Sequence, residues 1–476
     1  MSANRVVAHR PSRSAPMLHG KIVLPEHARF DEARRAWNLA VDQRPGAVVY
    51  AESSADVVAA VLFAQEQGLR VAPQGTGHNA PPLGDLVDTI LLRTERMRGV
   101  QIDPEARTAR VQAGVLWIEV VEAAAQHGLA ALAGSSPDVG VVGYTLGGGM
   151  SWLGRKYGLA ANNVEAIEIV TADGRLVRAD RDTEPDLFWA LRGGGGSFGV
   201  VTAIELRLFP ITDVYAGILW FPIERGAEVL NAWRELTERE LPDELTTVGR
   251  YLQLPPFPEI PEPVRGKSFV IVEAIHLGDP ARADELLAPL RALGPVNDTI
   301  ARIPVPALSH LHMDPEQPVP GTGDGSTLSR LTAEAIDTLD ENAGAGSGSP
   351  LLSVEIRHLE GEFAQPRPEH GALAAIDARY VMYAVGITPT PEARAIVGAH
   401  VERLLGALEP WTAEHKYLNL TETRRKPGAF WNEPAYHRLR RIKATVDPDD
   451  VIRSNHPVTP RSQRATRGHE KPGSPR

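Results

Sequence analysis

From Ala47 the apolar positions switch period twice. Ala47-Val48-Val49-Tyr50 is a continuous run of strand type, Val57, Val58, Val61 and Leu62 recur at helical spacing, and Leu69-Arg70-Val71-Ala72 returns to strand. Ser53 or Ser54 is placed to cap the intervening helix and Gly68 to end it. Further strands are predicted at Thr89 to Leu92 and Thr108 to Gln112, with a second helix from Leu116 to His127 that stops at Gly128. Farther on, Glu165 to Val170, the turn Asp173-Gly174 and Leu176-Val177 read as a strand, a tight turn and a returning strand, so the sheet there is antiparallel.

A short helix, Asp186 to Leu191, leads through Arg192-Gly193-Gly194-Gly195-Gly196-Ser197-Phe198-Gly199 into an alternating strand from Val200 to Phe209, which Pro210 stops. A domain boundary is placed near Thr212. Beyond it, short strands (Ser268 to Ala274, Leu351 to Leu359) alternate with helices (Ala281 to Leu293, Pro391 to Leu408), the pattern of an α+β domain, and the run Gly344 to Ser349 is a loop. The chain has 476 residues, enough for two domains or one elaborated domain, and carries neither an internal repeat nor a heptad run.

Composition narrows the function. With 43% hydrophobic residues, 23% charged residues and a net charge of -10, the chain reads as an acidic globular protein, which argues against a nucleic-acid partner. There is no cysteine, so disulfides, thiolate metal sites, a thiol nucleophile and a flavin linkage through sulfur are all excluded. No apolar run is long enough to span a bilayer, and the first residues lack a continuous apolar segment, so a cytoplasmic protein without membrane association is expected. Met1 to Gly20 and Pro460 to Arg476 are rich in Pro, Ser and Arg and are expected to be disordered ends.

Three glycine-dense stretches carry the chemical signal: Pro73-Gln74-Gly75-Thr76-Gly77-His78-Asn79, Gly134 to Tyr157, and Arg192 to Thr202. Glycine lets the backbone reach positive φ and approach a ligand closely, so successive amides can surround a pyrophosphate, and three such loops point to a long ligand. Gly194, Gly196 and Gly199 spell the dinucleotide fingerprint, and Gly195, Ser197 and Gly199 the nucleophile elbow. Both motifs require strand, turn, helix, whereas here the order is helix, loop, strand. Gly266-Lys267-Ser268 leads into a strand and does not make a P-loop. His78, beside a Gly-Thr-Gly turn at a strand end, is either a hydrogen-bonded structural histidine or an accessible nucleophile.

From about Arg44 to Pro460 these stretches resemble the vanillyl alcohol oxidase and para-cresol methylhydroxylase superfamily, and within it the berberine bridge enzyme-like FAD-linked oxidases. The resemblance implies an α+β fold in which a PCMH-type FAD-binding domain of two α/β subdomains (41–212) precedes a substrate domain, an antiparallel sheet covered by helices (213–415). A segment then returns to the FAD domain (416–460), with an N-terminal extension (1–40) and a tail (461–476) outside. It implies FAD held by Gln74, Gly75, Thr76, Gly77, His78 and Asn79, by Ser136, Gly140, Gly143, Thr145, Gly147, Gly148 and Asn162, by Gly199 and Val201, and by Asn455 in the closing segment. His78 inherits the covalent attachment to the flavin. The usual first loop is Arg-x-Gly-Gly-His, from which Gln74 and Thr76 depart. Members with two covalent bonds place a cysteine in the second loop where this chain reads Ser135-Ser136-Pro137-Asp138, so a single bond is implied, as in hydroxynicotine oxidase-like members.

The implied reaction is hydride transfer from a small organic substrate, an amine or alcohol such as a secondary metabolite, to FAD and then to dioxygen. A dehydrogenase of the same fold and a nonenzymatic flavin-binding protein are the alternatives, and no metal is implied. Many relatives end with Tyr-x-Asn-Tyr, the later tyrosine serving as base; here Tyr417-Leu418-Asn419-Leu420 lacks that phenol, leaving Tyr417 and Asn419 as candidates. In Ser353 to His358, Ser353, Glu355 and Arg357 share one face of a strand. That face either lines the substrate pocket, with Glu355 and Arg357 as catalytic candidates, or belongs to an edge strand and is solvated. A monomer or homodimer is expected.

Overall fold

In the computed structural model of the chain, residues 18, 21–258, 260 and 262–460 are described, and the expected disordered ends fall almost wholly outside them. The first sheet is built from β1 (Ile22–Val23), β2 (Ala47–Tyr50), β3 (Arg70–Gln74) and β4 (Thr89–Arg93) in the order β1-β2-β4-β3. β2, β4 and β3 run parallel, joined by the helix Ser54–Gln67. Ser53 closes a capping box with Asp56, and Gly68 ends the helix at φ 67, a left-handed turn that a side chain would strain.

The second sheet, β5 (Val100–Asp103), β6 (Thr108–Gln112), β7 (Val164–Val170), β8 (Leu176–Ala179) and β9 (Val200–Arg207), is antiparallel throughout in the order β5-β6-β9-β7-β8. The helices Trp117–Ala125 and Pro185–Leu191 bury Val120, Ala124, Leu187 and Phe188 in one core with Ile204 and Leu206 of β9.

The third sheet is β10 (Asp213–Pro222), β11 (Leu245–Gln253), β12 (Ser268–His276), β13 (Asn297–Asp298), β14 (Ala301–Pro304), β15 (Gly321–Leu328), β16 (Ser353–His358) and β17 (Tyr380–Ile387). Its order is β13-β10-β12-β11-β16-β17-β15, with β14 also on β10. Strand alternation divides its residues sharply. Val270, Val272, Tyr251, Val354, Ile356 and Met382 join a core with Val229, Trp233, Leu287, Ile336 and Leu404 of the covering helices. Arg250, Glu273, Glu355, Arg357 and Tyr383 stand on the opposite face, towards the first two sheets. β16 lies between β11 and β17 and Glu355 is 3% exposed, so the solvated edge-strand reading of this segment is overturned. A strand hydrogen-bonded on both sides has no free edge.

Both ends of the described chain are built into the first two sheets. Ile22 and Val23 pair with Val49 and Val48, and Asn38 exchanges two hydrogen bonds with Gly321 of β15, so residues 22–40 are tied to the first sheet at one end and to the third at the other and are not a free extension. At the other end, Ile452 bridges to Val71, and Lys443, fully buried on the helix Glu433–Val446, donates to the carbonyls of Ser197 (2.8 Å) and Ile452 (3.1 Å) while paired with Asp447.

Candidate functional site

The first glycine-rich loop leaves β3 and turns back at Gly77, whose φ of 89 is left-handed. A Cβ at Gly77 would also lie 2.9 Å from the Ala36 side chain. This turn sets His78 beneath Trp37, the two rings stacked 4.0 Å apart at 19°. Thr76 Oγ1 lies 2.7 Å from His78 Nδ1, and His78 Nε2 faces Asp138 Oδ1 at 3.4 Å. Asp138 Oδ2 accepts the Trp37 indole N–H at 2.5 Å. Gln74 accepts from Gln43 at 2.9 Å, and the Asn79 amide donates to the carbonyls of Leu418 (3.3 Å) and Thr421 (3.4 Å).

The second loop abuts the first, because a Cβ on Gly140 would sit 3.8 Å from Thr76 Cγ2, while one on Gly143 would meet nothing within 4 Å. Asn419 reaches over this loop: its amide donates to the Tyr144 carbonyl (2.9 Å) and the Tyr417 hydroxyl (3.3 Å), and its Oδ1 lies 1.8 Å from where a Gly147 Cβ would stand. Tyr417 packs its ring over Gly148, φ 122. Burial pushes the Tyr417 phenol up, against hydrogen bonds from Gly149, Asn419 and Met150, so it is held protonated and fits a donor better than a base. From the third loop, Gly195 adopts φ 76 with open space beside it, and Gly196 neighbours Ser454.

The side chains of other residues implied by the resemblance are engaged with protein partners. The Asn162 amide is spent on Leu373, Ala374 and Gly371. The Thr145 hydroxyl donates back to the Val141 carbonyl, Ser136 donates to Asp314, and the Val201 side chain lies in the second sheet's core. Gly199 packs between strands, where a Cβ would come 2.6 Å from the Val170 carbonyl. Asn455 donates to the Asn79 carbonyl at 3.4 Å, tying the closing segment to the first loop.

Against the second loop stands the polar face of the third sheet. Arg357 donates to both Glu355 oxygens at 3.0 Å and to Ser135 at 3.1 Å, with its guanidinium 5.4 Å over the Trp152 ring. Glu355 also meets His312 Nε2 at 2.7 Å, and His312 Nδ1 meets Glu273 at 2.8 Å. Arg250 donates to the His312 carbonyl and to Ser353, each at 2.7 Å. Burial pushes the Glu355 carboxyl up, but Arg357, His312 and Arg250 outweigh it and hold it well below the usual carboxylate range. Burial and Arg250 push His312 down, but Glu273, Asp314 and Glu355 bring it up to about 9, so the imidazole is a cation at neutral pH. Tyr383, the cross-strand neighbour of Glu355, donates to Glu422, whose carboxyl burial pushes up to about 7.

Trp37, Asp138, His312, Glu273, Arg250, Tyr383 and Glu422 were not found from sequence. Glu273 did carry a signal, as a lone acid within Ser268 to His276, otherwise almost wholly apolar; an acid buried in such a strand requires a charged partner.

The residues of the first two loops fit FAD. Gln74 Nε2 and Asn79 Oδ1, on either side of His78, are buried and have no hydrogen-bond partner among the described residues. Such atoms are costly unless a ligand with phosphate, hydroxyl and ring polar groups completes them. Beside Gly143 and Gly195 an added Cβ would meet nothing within 4 Å, which leaves room for a pyrophosphate to approach the backbone closely.

Comparison with known proteins agrees. Residues 45–180 match the FAD binding domain family, and residues 416–459 match the family described as berberine and berberine like. The chain is 29% identical to (R)-6-hydroxynicotine oxidase of Paenarthrobacter nicotinovorans over 464 residues, covering 93% of this chain and 97% of that protein. It is also 29% identical to the FAD-linked oxidoreductase YvdP of Bacillus subtilis, itself uncharacterized, over 93% of this chain and 98% of that one. Among solved structures, 6-hydroxy-D-nicotine oxidase from Arthrobacter nicotinovorans superposes with a TM-score of 0.79 at 25% identity, covering 93% of this chain and 98% of its own. Berberine bridge enzyme from Eschscholzia californica shares the fold, with a TM-score of 0.80 at 18% identity over 94% and 98% of the two chains. With the loops, the orphaned polar atoms and these likenesses together, the chain is an FAD-linked oxidoreductase that resembles the berberine bridge enzyme-like proteins of the vanillyl alcohol oxidase and para-cresol methylhydroxylase superfamily.

Proposed function

We propose that the protein is an oxidase that carries FAD on a covalent bond to His78 and removes a hydride from a small amine or alcohol, with dioxygen as the final acceptor. The observation that carries this reading is the set of unpartnered buried polar atoms around His78, lying in the same interdomain region as the charged face of the third sheet. The similarity to a protein named (R)-6-hydroxynicotine oxidase favours an amine.

When bound, FAD supplies the hydride acceptor. The chain supplies position and charge. Arg357, fixed by Glu355 and Ser135 and laid along Trp152, offers a rigid cation to a polar group of the substrate. Tyr417 and Asn419 hold the second loop against the pocket. A proton leaving a substrate O–H or N–H finds its acceptor in the Glu422 carboxyl, which is poised near neutrality and reached through the Tyr383 hydroxyl.

Acid-precipitated protein is expected to stay yellow, and His78→Ala to release the flavin on precipitation. Colourless precipitate from flavin-loaded wild type would refute the linkage. Anaerobic bleaching across a panel of amines, alcohols and sugars, followed by peroxide measurement in air, identifies the substrate class and separates an oxidase from a dehydrogenase.

A further inference from the structure

His78 is held on three sides. The Trp37 indole covers one ring face, Thr76 Oγ1 meets Nδ1 at 2.7 Å, and the Asp138 carboxylate stands 3.4 Å from Nε2. Trp37 is itself fixed twice, by its backbone N–H to the Thr76 carbonyl at 2.9 Å and by its indole N–H to Asp138 Oδ2 at 2.5 Å. Asp138 therefore has one oxygen committed and the other, Oδ1, buried and without a hydrogen bond among the described residues, opposite a ring nitrogen in the same condition. A neutral imidazole carries one N–H and one lone pair. A carboxylate opposite Nε2 favours the N–H there and leaves the lone pair on Nδ1, where the Thr76 hydroxyl can donate to it.

We infer that Asp138, anchored by Trp37, is the positioning residue for covalent flavin attachment at His78: it fixes the ring's tautomer and takes up its proton as the bond forms. This rests on the His78 linkage proposed above. In the step, the Nδ1 lone pair forms a bond to the C8 methyl carbon, which has already given up a proton to solvent. Two electrons pass into the flavin ring, the Nε2 proton moves to Asp138, and dioxygen removes the two electrons as peroxide. Asp138 and Trp37 touch the imidazole and not the reacting carbon, so they govern attachment and leave flavin binding alone.

The test follows purified full-length protein in air, scoring total bound flavin and the fraction that stays with acid-precipitated chain, with mass spectrometry of the intact polypeptide as a second readout. Asp138→Asn keeps the size of the side chain and an acceptor for the Trp37 indole but removes the charge. It is expected to bind FAD at wild-type stoichiometry and to attach it about ten- to a hundredfold more slowly, the size of one lost charge-assisted hydrogen bond. Asp138→Glu, which restores the charge, should recover part of the rate, as a purely structural role would not. Attachment by Asp138→Asn at the wild-type rate overturns the inference. If Asp138→Asn binds no flavin, Trp37→Phe decides, since it keeps the stacked ring and loses only the anchor: slowed attachment supports the inference and an unchanged rate overturns it. Wild type that releases its flavin on precipitation removes the linkage itself and with it this role, a different outcome from wild type and Asp138→Asn that load equally fast.

Discussion

At the scale of single residues, the site depends on charges that neutralise one another out of water. Glu355 is shared between Arg357 and His312, and His312 between Glu355 and Glu273, with every member nearly buried. Removing Glu355 leaves the Arg357 guanidinium without its carboxylate and His312 with Glu273 alone, and breaking a buried pair in this way typically costs about 3–5 kcal/mol. Glu355→Ala is therefore expected to lower stability by about that amount in chemical denaturation; a loss below about 1 kcal/mol would mean that these groups are solvated in solution. The nomination of Glu355 and Arg357 was legible in the alternation of Ser353 to His358. Their partners were not, because His312, Glu273 and Arg250 come from three other segments, and no local pattern records which strands will be neighbours.

At the scale of elements, the close approach of loops matters more than any single bond. Gly147 has an ordinary helical-side φ of -87, so alanine there brings no backbone strain, yet its Cβ would lie 1.8 Å from Asn419 Oδ1. Gly147→Ala should expel the Asn419 amide from its bonds to Tyr144 and Tyr417 and cost about 1–3 kcal/mol as overpacking. The double variant with Asn419→Ala relieves the overlap, so a double-mutant cycle on thermal unfolding should show less than the sum of the single losses. Additive losses would contradict the contact. Element types were largely readable: β2 and β6 stand where the apolar runs put them, and Ser53 and Gly68 bound their helix. Residues 22–40 were read as an extension because two strand residues and a four-residue helix are too short to give a periodic signal.

At the scale of the whole molecule, stability should depend on pH in a direction set by three buried groups. His312 is raised from 6.5 to about 9, so its contribution is complete below about pH 6.5 and is lost as pH climbs through 9. Glu422 is raised from 4.5 to about 7, so the folded chain holds an extra proton between those values and stability falls as pH rises through that window. Glu355 is depressed, and its contribution is present above 4.5 and lost as pH falls below it. The melting temperature is expected to peak on the acid side of neutrality, with Glu422→Gln flattening the decline between about pH 4.5 and 7. A maximum at pH 8 or above would contradict these assignments. No helix among the described residues is long and apolar enough to cross a membrane.

The doubled hydrogen bond between Asn38 and Gly321 also carries a message about biosynthesis. The indole that covers His78 belongs to the residue just before Asn38, and its segment takes its last anchor from a strand that leaves the ribosome 283 positions later. The nascent FAD-binding half can pair β1 with β2 early, but the enclosure of the imidazole is finished only once that distant strand has been translated and docked. The cofactor pocket thereby reaches its final form only with that distant strand, and fragments that end before residue 321 should hold the indole by its Thr76 and Asp138 bonds alone.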